Sequence, residues 1–183
     1  MFNYQFMVTA FIVGMLLSVV IPLIGTQVVF KRLSMTGDAL SHTAIAGVAV
    51  GLIMGYNPLL FAVIACVIAV LLIEFIRKKF YKYNELAIAI VLSLGIGLAG
   101  LLSTIAPMAN FNSYLFGSIF AITDVELYLT IGIFAFTIIV YLLFYKELMF
   151  IAYNEENAKL SGVPTNLLNI VFSIITALIV AIA

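Results

Sequence analysis

The chain has 183 residues, 66% of them hydrophobic and only 9% charged, and its eight Lys and Arg balance eight Asp and Glu. Soluble domains carry about a quarter charged residues, so this composition excludes a soluble globule and describes an integral membrane protein. At roughly 20 residues per crossing, the length admits about six spanning helices and leaves no room for a separate catalytic domain.

The first residues, Met1 to Gly14, lack the basic flank of a signal peptide, and no small-residue cleavage pattern follows. The first apolar run is therefore read as a retained helix, from about Phe6 to Phe30, with a kink predicted where Pro22 removes a backbone hydrogen bond. A second helix runs from Met35 to Tyr56, and Asn57-Pro58 is the turn that ends it. A third, Leu59 to Ile76, is the most uniformly apolar; it is predicted to be a structural, lipid-facing span, with Glu74 placed to pair with Lys78 at i+4. A fourth, Leu86 to about Thr104, carries Ser93, Gly97, Gly100 and Thr104 on a narrow small-residue face suited to close packing, and Pro107 stops it.

The stretch Ala109 to Thr123 is too short and too polar at its start to cross the membrane. It predicts a short interfacial or re-entrant helix, with Thr123 or Asp124 capping a fifth span from about Val125 to Phe144. Asp124 and Glu126 read as the wet lip of that span, where they also add negative potential that draws cations in. Lys146 to Asn166 is the sizeable polar region; it ends in Ser161-Gly162-Val163-Pro164, a helix stop followed by a turn, and by itself reads as a loop with a short amphipathic helix. A last apolar run, Leu167 to Ala183, is barely long enough to span and has no polar flank after it. Residues 1–183 are thus expected to be a single transmembrane domain, truncated at its C-terminal side.

All Lys and Arg fall in three clusters: Lys31 with Arg32; Arg77, Lys78, Lys79 and Lys82; Lys146 with Lys159. With six spans these clusters occupy alternate loops on one side, which the positive-inside rule makes cytoplasmic, leaving the N-terminus outside. The single cysteine, Cys66, excludes an internal disulfide and a multi-thiolate metal site, and reads as a small buried hydrophobe.

Within the second span lie Asp38 and His42, the latter the chain's one histidine. At 100° per residue Asp38, Ser41, His42, Ile45 and Ala49 share an arc, while Gly47, Gly51 and Gly55 rise four apart on another face that lets a neighbouring backbone approach. An ionisable pair in hydrocarbon costs several kcal/mol unless it faces a cavity or a partner, so it points to function. A carboxylate and an imidazole four residues apart can bind a divalent ion transiently, the remaining ligands coming from elsewhere. Three other readings stay open: Asp38 as a helix cap or a partner of Arg32, His42 as a satisfied core residue, or the two as a proton relay. No HExxH, phosphate-loop or serine-elbow motif is present, so the chain reads as no enzyme, and nucleotide hydrolysis would belong to another protein.

The segment LIGTQVVFKRLSMTGDALSHTAIAGVAVGL, Leu23 to Leu52, resembles the signature region of the membrane permease subunits of zinc and manganese ATP-binding-cassette importers. YLFGSI (Tyr114 to Ile119) and NEENAKLSGVP (Asn154 to Pro164) fall at the places that family would put them. The resemblance implies an all-α polytopic bundle of about six spans, with a re-entrant or interfacial helix and a cytoplasmic coupling helix. It implies a second permease copy, cytoplasmic ATP-binding subunits, an extracytoplasmic metal-binding protein, a multi-pass place in the cell membrane and no nucleic-acid partner. Asp38 and His42 match the family's pathway residues, and Asn154, Glu155, Asn157, Ala158 and Gly162 match its ATPase-docking helix. No permanent cofactor is implied; the cargo leans to Zn2+ on Pro22 to Gly25 and Phe116 to Ile119, with Mn2+ second and iron third. Members of the family usually continue into further spans. A non-transporting membrane scaffold, in which Asp38 and His42 are structural, is the alternative of another class.

Overall fold

Backbone polar groups in hydrocarbon have no water to turn to, so a long apolar run satisfies them within itself as an α-helix. The computed structural model describes residues 5–80, 84–107, 111 and 124–183, the side chains of 5, 6, 84 and 124–126 excepted. Among the described residues the chain forms α1 (Gln5–Phe30), α2 (Thr36–Met54), α3 (Pro58–Lys79), α4 (Asn84–Ser103), α5 (Asp124–Leu143), α6 (Tyr145–Tyr153), α7 (Glu155–Leu160) and α8 (Thr165–Ile182), with no strand. Five of these, α1 to α4 and α8, are long and apolar enough to cross a membrane. A sixth crossing arises if α5 and α6, bent by 72° at Phe144, are counted as one span. The molecule is an all-α polytopic membrane bundle. The predicted re-entrant segment and the Tyr114 to Ile119 motif lie outside the described residues, Phe111 apart.

The chain divides into two compact units, Met1–Arg32 with Gly117–Leu168 and Leu33–Phe116 with Asn169–Ala183. In the first, α1 packs on α5 and α6, and α6 folds against α7. Pro22 is held inside α1, which runs unbroken to Phe30. Gln27 is wholly buried, and its Nε2 donates to Met149 Sδ at 3.0 Å. The polar linker is more helical than its composition predicts, because α6 buries Leu148 and Ile151, sets Met149 against Gln27 of α1, and leaves Tyr145 and Tyr153 outward. Ile151, Ala158 and Leu168, flanked by Val163, close a small core beneath the α6–α7 hairpin.

In the second unit α2 packs on both α3 and α4. Gly55, in the left-handed region at φ 71°, ends α2: Tyr56 N–H bonds Gly51 O at 3.0 Å and Gly55 N–H bonds Leu52 O at 3.3 Å, the Schellman pattern that leaves few carbonyls unmet. Asn57 then caps α3, its Oδ1 accepting from Leu59 N–H at 3.0 Å, with Pro58 at the first helical position where no N–H is needed. The basic run Arg77 to Lys79 prolongs α3 beyond Ile76, as cations favour a helix C-terminus.

Three expectations are corrected here. α3 is lipid-facing on one side only: Leu60, Ile64, Ile68 and Phe75 are exposed, while Ala62, Cys66, Ala69, Val70, Ile73 and Glu74 are buried. Glu74 pairs with Arg77 at i+3 and not with Lys78, because Glu74 and Arg77 both lie on the inward side while Lys78 is exposed. The packing face of α4 is also not the predicted one. Gly97 and Gly100 are exposed with open space about them, and the buried stripe is Ala87, Val91, Gly95 and Ala99.

Candidate functional site

α2 starts at Thr36 after an N-cap, Met35, whose side chain makes no capping bond. Asp38 therefore sits in the first turn as its third residue and is not the cap; its negative charge there suits the positive end of the helix dipole. One turn on, His42 Nε2 stands 3.8 Å from Asp38 Oδ1. That gap is too long for a hydrogen bond. It lies just under about 4.2 Å, the span of two ligand bonds of about 2.1 Å each, so both groups can touch one cation. The Asp38 side chain is 59% exposed and the His42 side chain 38%, so the imidazole opens outward and is not sealed in a core.

The rest of the predicted arc closes quickly. Ala49 is buried with Ala106 and Phe111, and Ile45 packs against that cluster together with Leu102. Open polar surface on this side of α2 thus ends about two turns beyond His42, at roughly 10 Å of rise. Ser41 Oγ donates to Gly37 O at 2.9 Å and Thr43 Oγ1 to Ala39 O at 2.7 Å, so each hydroxyl proton is spent on the helix and its oxygen lone pairs remain. The Cys66 thiol is buried and donates to Leu40 O at 3.4 Å, away from any ligand role. Among the described residues no three His, Cys, Asp or Glu side chains come together, and Asp38 and His42 stand as a pair.

The glycines of α2 divide by position. A Cβ on Gly47 would lie 2.6 Å from Phe61 O and 2.8 Å from Ala62 Cα, and one on Gly51 would lie 2.8 Å from Pro58 Cα; both face the backbone of α3. Gly55 shares their spacing but not their surroundings, having open space about it and serving the helix end instead.

The positions matched to the coupling helix also take separate tasks. Asn154 Oδ1 accepts from Asn157 N–H at 3.0 Å and caps α7, while Glu155 and Glu156 in its first turn and Lys159 in its last complement the dipole. Gly162, at φ 84°, terminates it, with Val163 N–H bonded to Ala158 O at 3.1 Å. Ala158 is fully buried, so it holds the hairpin together and offers nothing outward. The outward groups include Glu156, Asn157, Lys159, Leu160 and, from α6, Tyr153, which is 91% exposed. Sequence reasoning passed over Tyr153 and Leu160 because an apolar residue on a short amphipathic helix is ordinarily assigned to the buried side.

Residues 3–183 match the model of the ABC 3 transport family. The "Probable metal transport system membrane protein" of Treponema pallidum (strain Nichols) is 34% identical over 182 residues, which cover 99% of this chain and 68% of that protein. The "Manganese import system permease protein ScaB" of Streptococcus gordonii is 26% identical over 178 residues, covering 97% of this chain and 64% of that one. Among solved structures, "PsaBC from Streptococcus pneumoniae in complex with Fab" is similar with a TM-score of 0.79 at 25% identity, over 99% of this chain and 66% of that one. The chain spans between 60% and 68% of the length of these and comparable curated relatives. A family match over nearly every residue, a relative at 34% identity and a shared fold lead to one conclusion: the chain belongs to the ABC 3 transport family.

Proposed function

We propose that the chain is the membrane-spanning part of an ATP-driven importer of divalent metal, with Mn2+ as its cargo. The observation that carries this reading is the Asp38–His42 pair, two donors 3.8 Å apart and partly exposed on a helix long enough to cross the membrane. One carboxylate and one imidazole with no thiolate form an oxygen and nitrogen set open to Mn2+ and Zn2+ alike. The lean to zinc drawn from Pro22 to Gly25 yields to manganese because the relative aligned over 97% of this chain is named a manganese import permease. Two ligands on one helix bind weakly enough to release, which passage requires, and a further helix, water or a second copy completes the shell.

In this reading two permease copies pair, cytoplasmic ATPases dock on the α6–α7 hairpin, and an extracytoplasmic protein delivers the ion. The basic clusters put the α1–α2 and α3–α4 turns and the hairpin on the cytoplasmic side and the N-terminus outside. Residues 1–183 act as one transmembrane domain.

The test is radioactive Mn2+ and Zn2+ uptake, normalised to assembled transporter, in His42→Ala and Asp38→Asn. Both variants are expected to assemble and to lose most uptake. Wild-type uptake in both would sink the assignment, and loss of assembled protein with normal uptake per surviving complex would return the pair to a structural role.

A further inference from the structure

Gly95 of α4 is buried against the peptide that carries His42. A Cβ at this position would lie 2.9 Å from Thr43 Oγ1, 3.2 Å from Thr43 N and 3.4 Å from His42 C. The nearest of these atoms cannot swing aside freely, because Thr43 Oγ1 is bonded to Ala39 O at 2.7 Å and a β-branched side chain has few rotamers in a helix. The next two belong to the α2 backbone. A side chain at residue 95 must therefore push α4 and α2 apart at His42 and Thr43. Nothing comparable holds two residues on, where a Cβ at Gly97 would meet no atom within 4 Å.

We infer that Gly95 is a positioning residue for the metal path: its missing Cβ seats α4 on the His42–Thr43 peptide and so sets where the α2 donor pair stands relative to the ligands that complete the shell from elsewhere. The inference rests on His42 acting as a metal donor. Metal–ligand distances tolerate deviations of about 0.2 Å, and a side chain at residue 95 would impose a shift of that order on the helix bearing the donor. Gly95 touches no ion itself. Its effect falls on how well the α2 pair meets the rest of the shell, and thus on the metal concentration needed, ahead of the maximal rate.

The experiment measures Mn2+ uptake against free Mn2+ concentration, normalised to assembled transporter, for the wild type, Gly95→Ala, Gly95→Ala with Thr43→Ala, Gly97→Ala and His42→Ala. For Gly95→Ala the half-saturating concentration should rise about tenfold, the loss typical when the support of a metal ligand is disturbed, with a smaller change in maximal rate. Thr43→Ala in the same chain removes the nearest atom and should recover most of the loss, while Gly97→Ala should match the wild type. If Gly95→Ala fails to assemble, Thr43→Val carries the test: it brings a wider methyl group against Gly95 without the bond to Ala39, and its half-saturation should rise in the same direction by less. An unchanged half-saturation in whichever of these variants assembles, beside lost uptake in His42→Ala, overturns the role of Gly95 and leaves the donor pair standing. Wild-type uptake in His42→Ala overturns both.

Discussion

Ser173 donates a 2.7 Å hydrogen bond to Glu74 Oε1 across 99 residues of sequence, tying α8 to α3 inside one unit. Arg77 Nη1 donates to the same oxygen at 2.8 Å, and both charged side chains are nearly sealed, 8% exposed for Glu74 and 12% for Arg77. A buried pair of this kind owes its importance to what happens when half of it is removed. Arg77 Nε has no hydrogen-bond partner among the described residues, so losing the carboxylate would leave the guanidinium poorly compensated.

Glu74→Ala is accordingly expected to destabilise the protein by about 3–5 kcal/mol, the range for breaking a buried ion pair from one side. Replacing both, Glu74→Met with Arg77→Met, should be close to neutral, since the desolvation cost of two charges disappears with them. Thermal unfolding in detergent decides: a double variant no more stable than Glu74→Ala would show that the charges are not buried as a pair. Ser173→Ala should cost about 1 kcal/mol, or up to about 3 for a bond to a charged group.

Gly47→Ala should destabilise by about 1–3 kcal/mol through overpacking, toward the upper end because the atoms in the way are Phe61 O and Ala62 Cα of the α3 backbone. Gly51→Leu should do the same or block uptake. Gly100→Ala, in open space on an exposed helical face, should instead be neutral or stabilise by up to about 1 kcal/mol, since alanine is the better helix former. Equal unfolding midpoints for Gly47→Ala and Gly100→Ala would contradict the α2–α3 contact.

Gly55→Ala and Gly162→Ala meet no steric neighbour, yet each asks an L residue to hold a left-handed backbone, a cost of about 1–2 kcal/mol. The D-alanine form at either site, introduced by ligation of a synthetic peptide, should restore or exceed wild-type stability. A D-alanine chain as unstable as the L-alanine one would remove backbone conformation as the cause.

Labelling tests the hairpin. In a Cys66→Ala background, Asn157→Cys should react with a polar maleimide and cross-link to the ATPase, whereas Ala158→Cys, fully buried under Ile151 and Leu168, should do neither. Cys66 itself should stay unmodified in the folded protein, since its thiol is enclosed. Cross-links arising only from the Lys31–Arg32 turn would move the docking surface elsewhere.

What could be read before the structure was whatever one segment decides alone. The spans follow from apolar length, and the ends at Asn57-Pro58 and Gly162-Val163-Pro164 follow from local turn chemistry. Which face of a helix is used depends on a neighbour that the segment does not contain. Gly97 and Gly100 look like a packing face by spacing, but α2 is met by Gly95; Glu74 has a base at both i+3 and i+4, and the inward position of Arg77 decides between them. Asp38 and His42 were legible as a pair because four residues on one helix suffice to bring them together. The closing of their arc by Phe111 and Ala106 was not, since both lie beyond the end of α4.

The bend at Phe144 sets the direction in which load can travel. α6 has nine residues, about 13.5 Å of helix, but at 72° to α5 it advances only about 4 Å along the axis of α5. A push on α7, locked to α6 and Leu168 through Ala158, thus arrives at α5 almost entirely from the side. Under the docking proposed above, the hairpin would serve as a crank rather than a piston: a partner moving across the membrane surface would turn α5 about Phe144, with no change of membrane thickness required for the stroke.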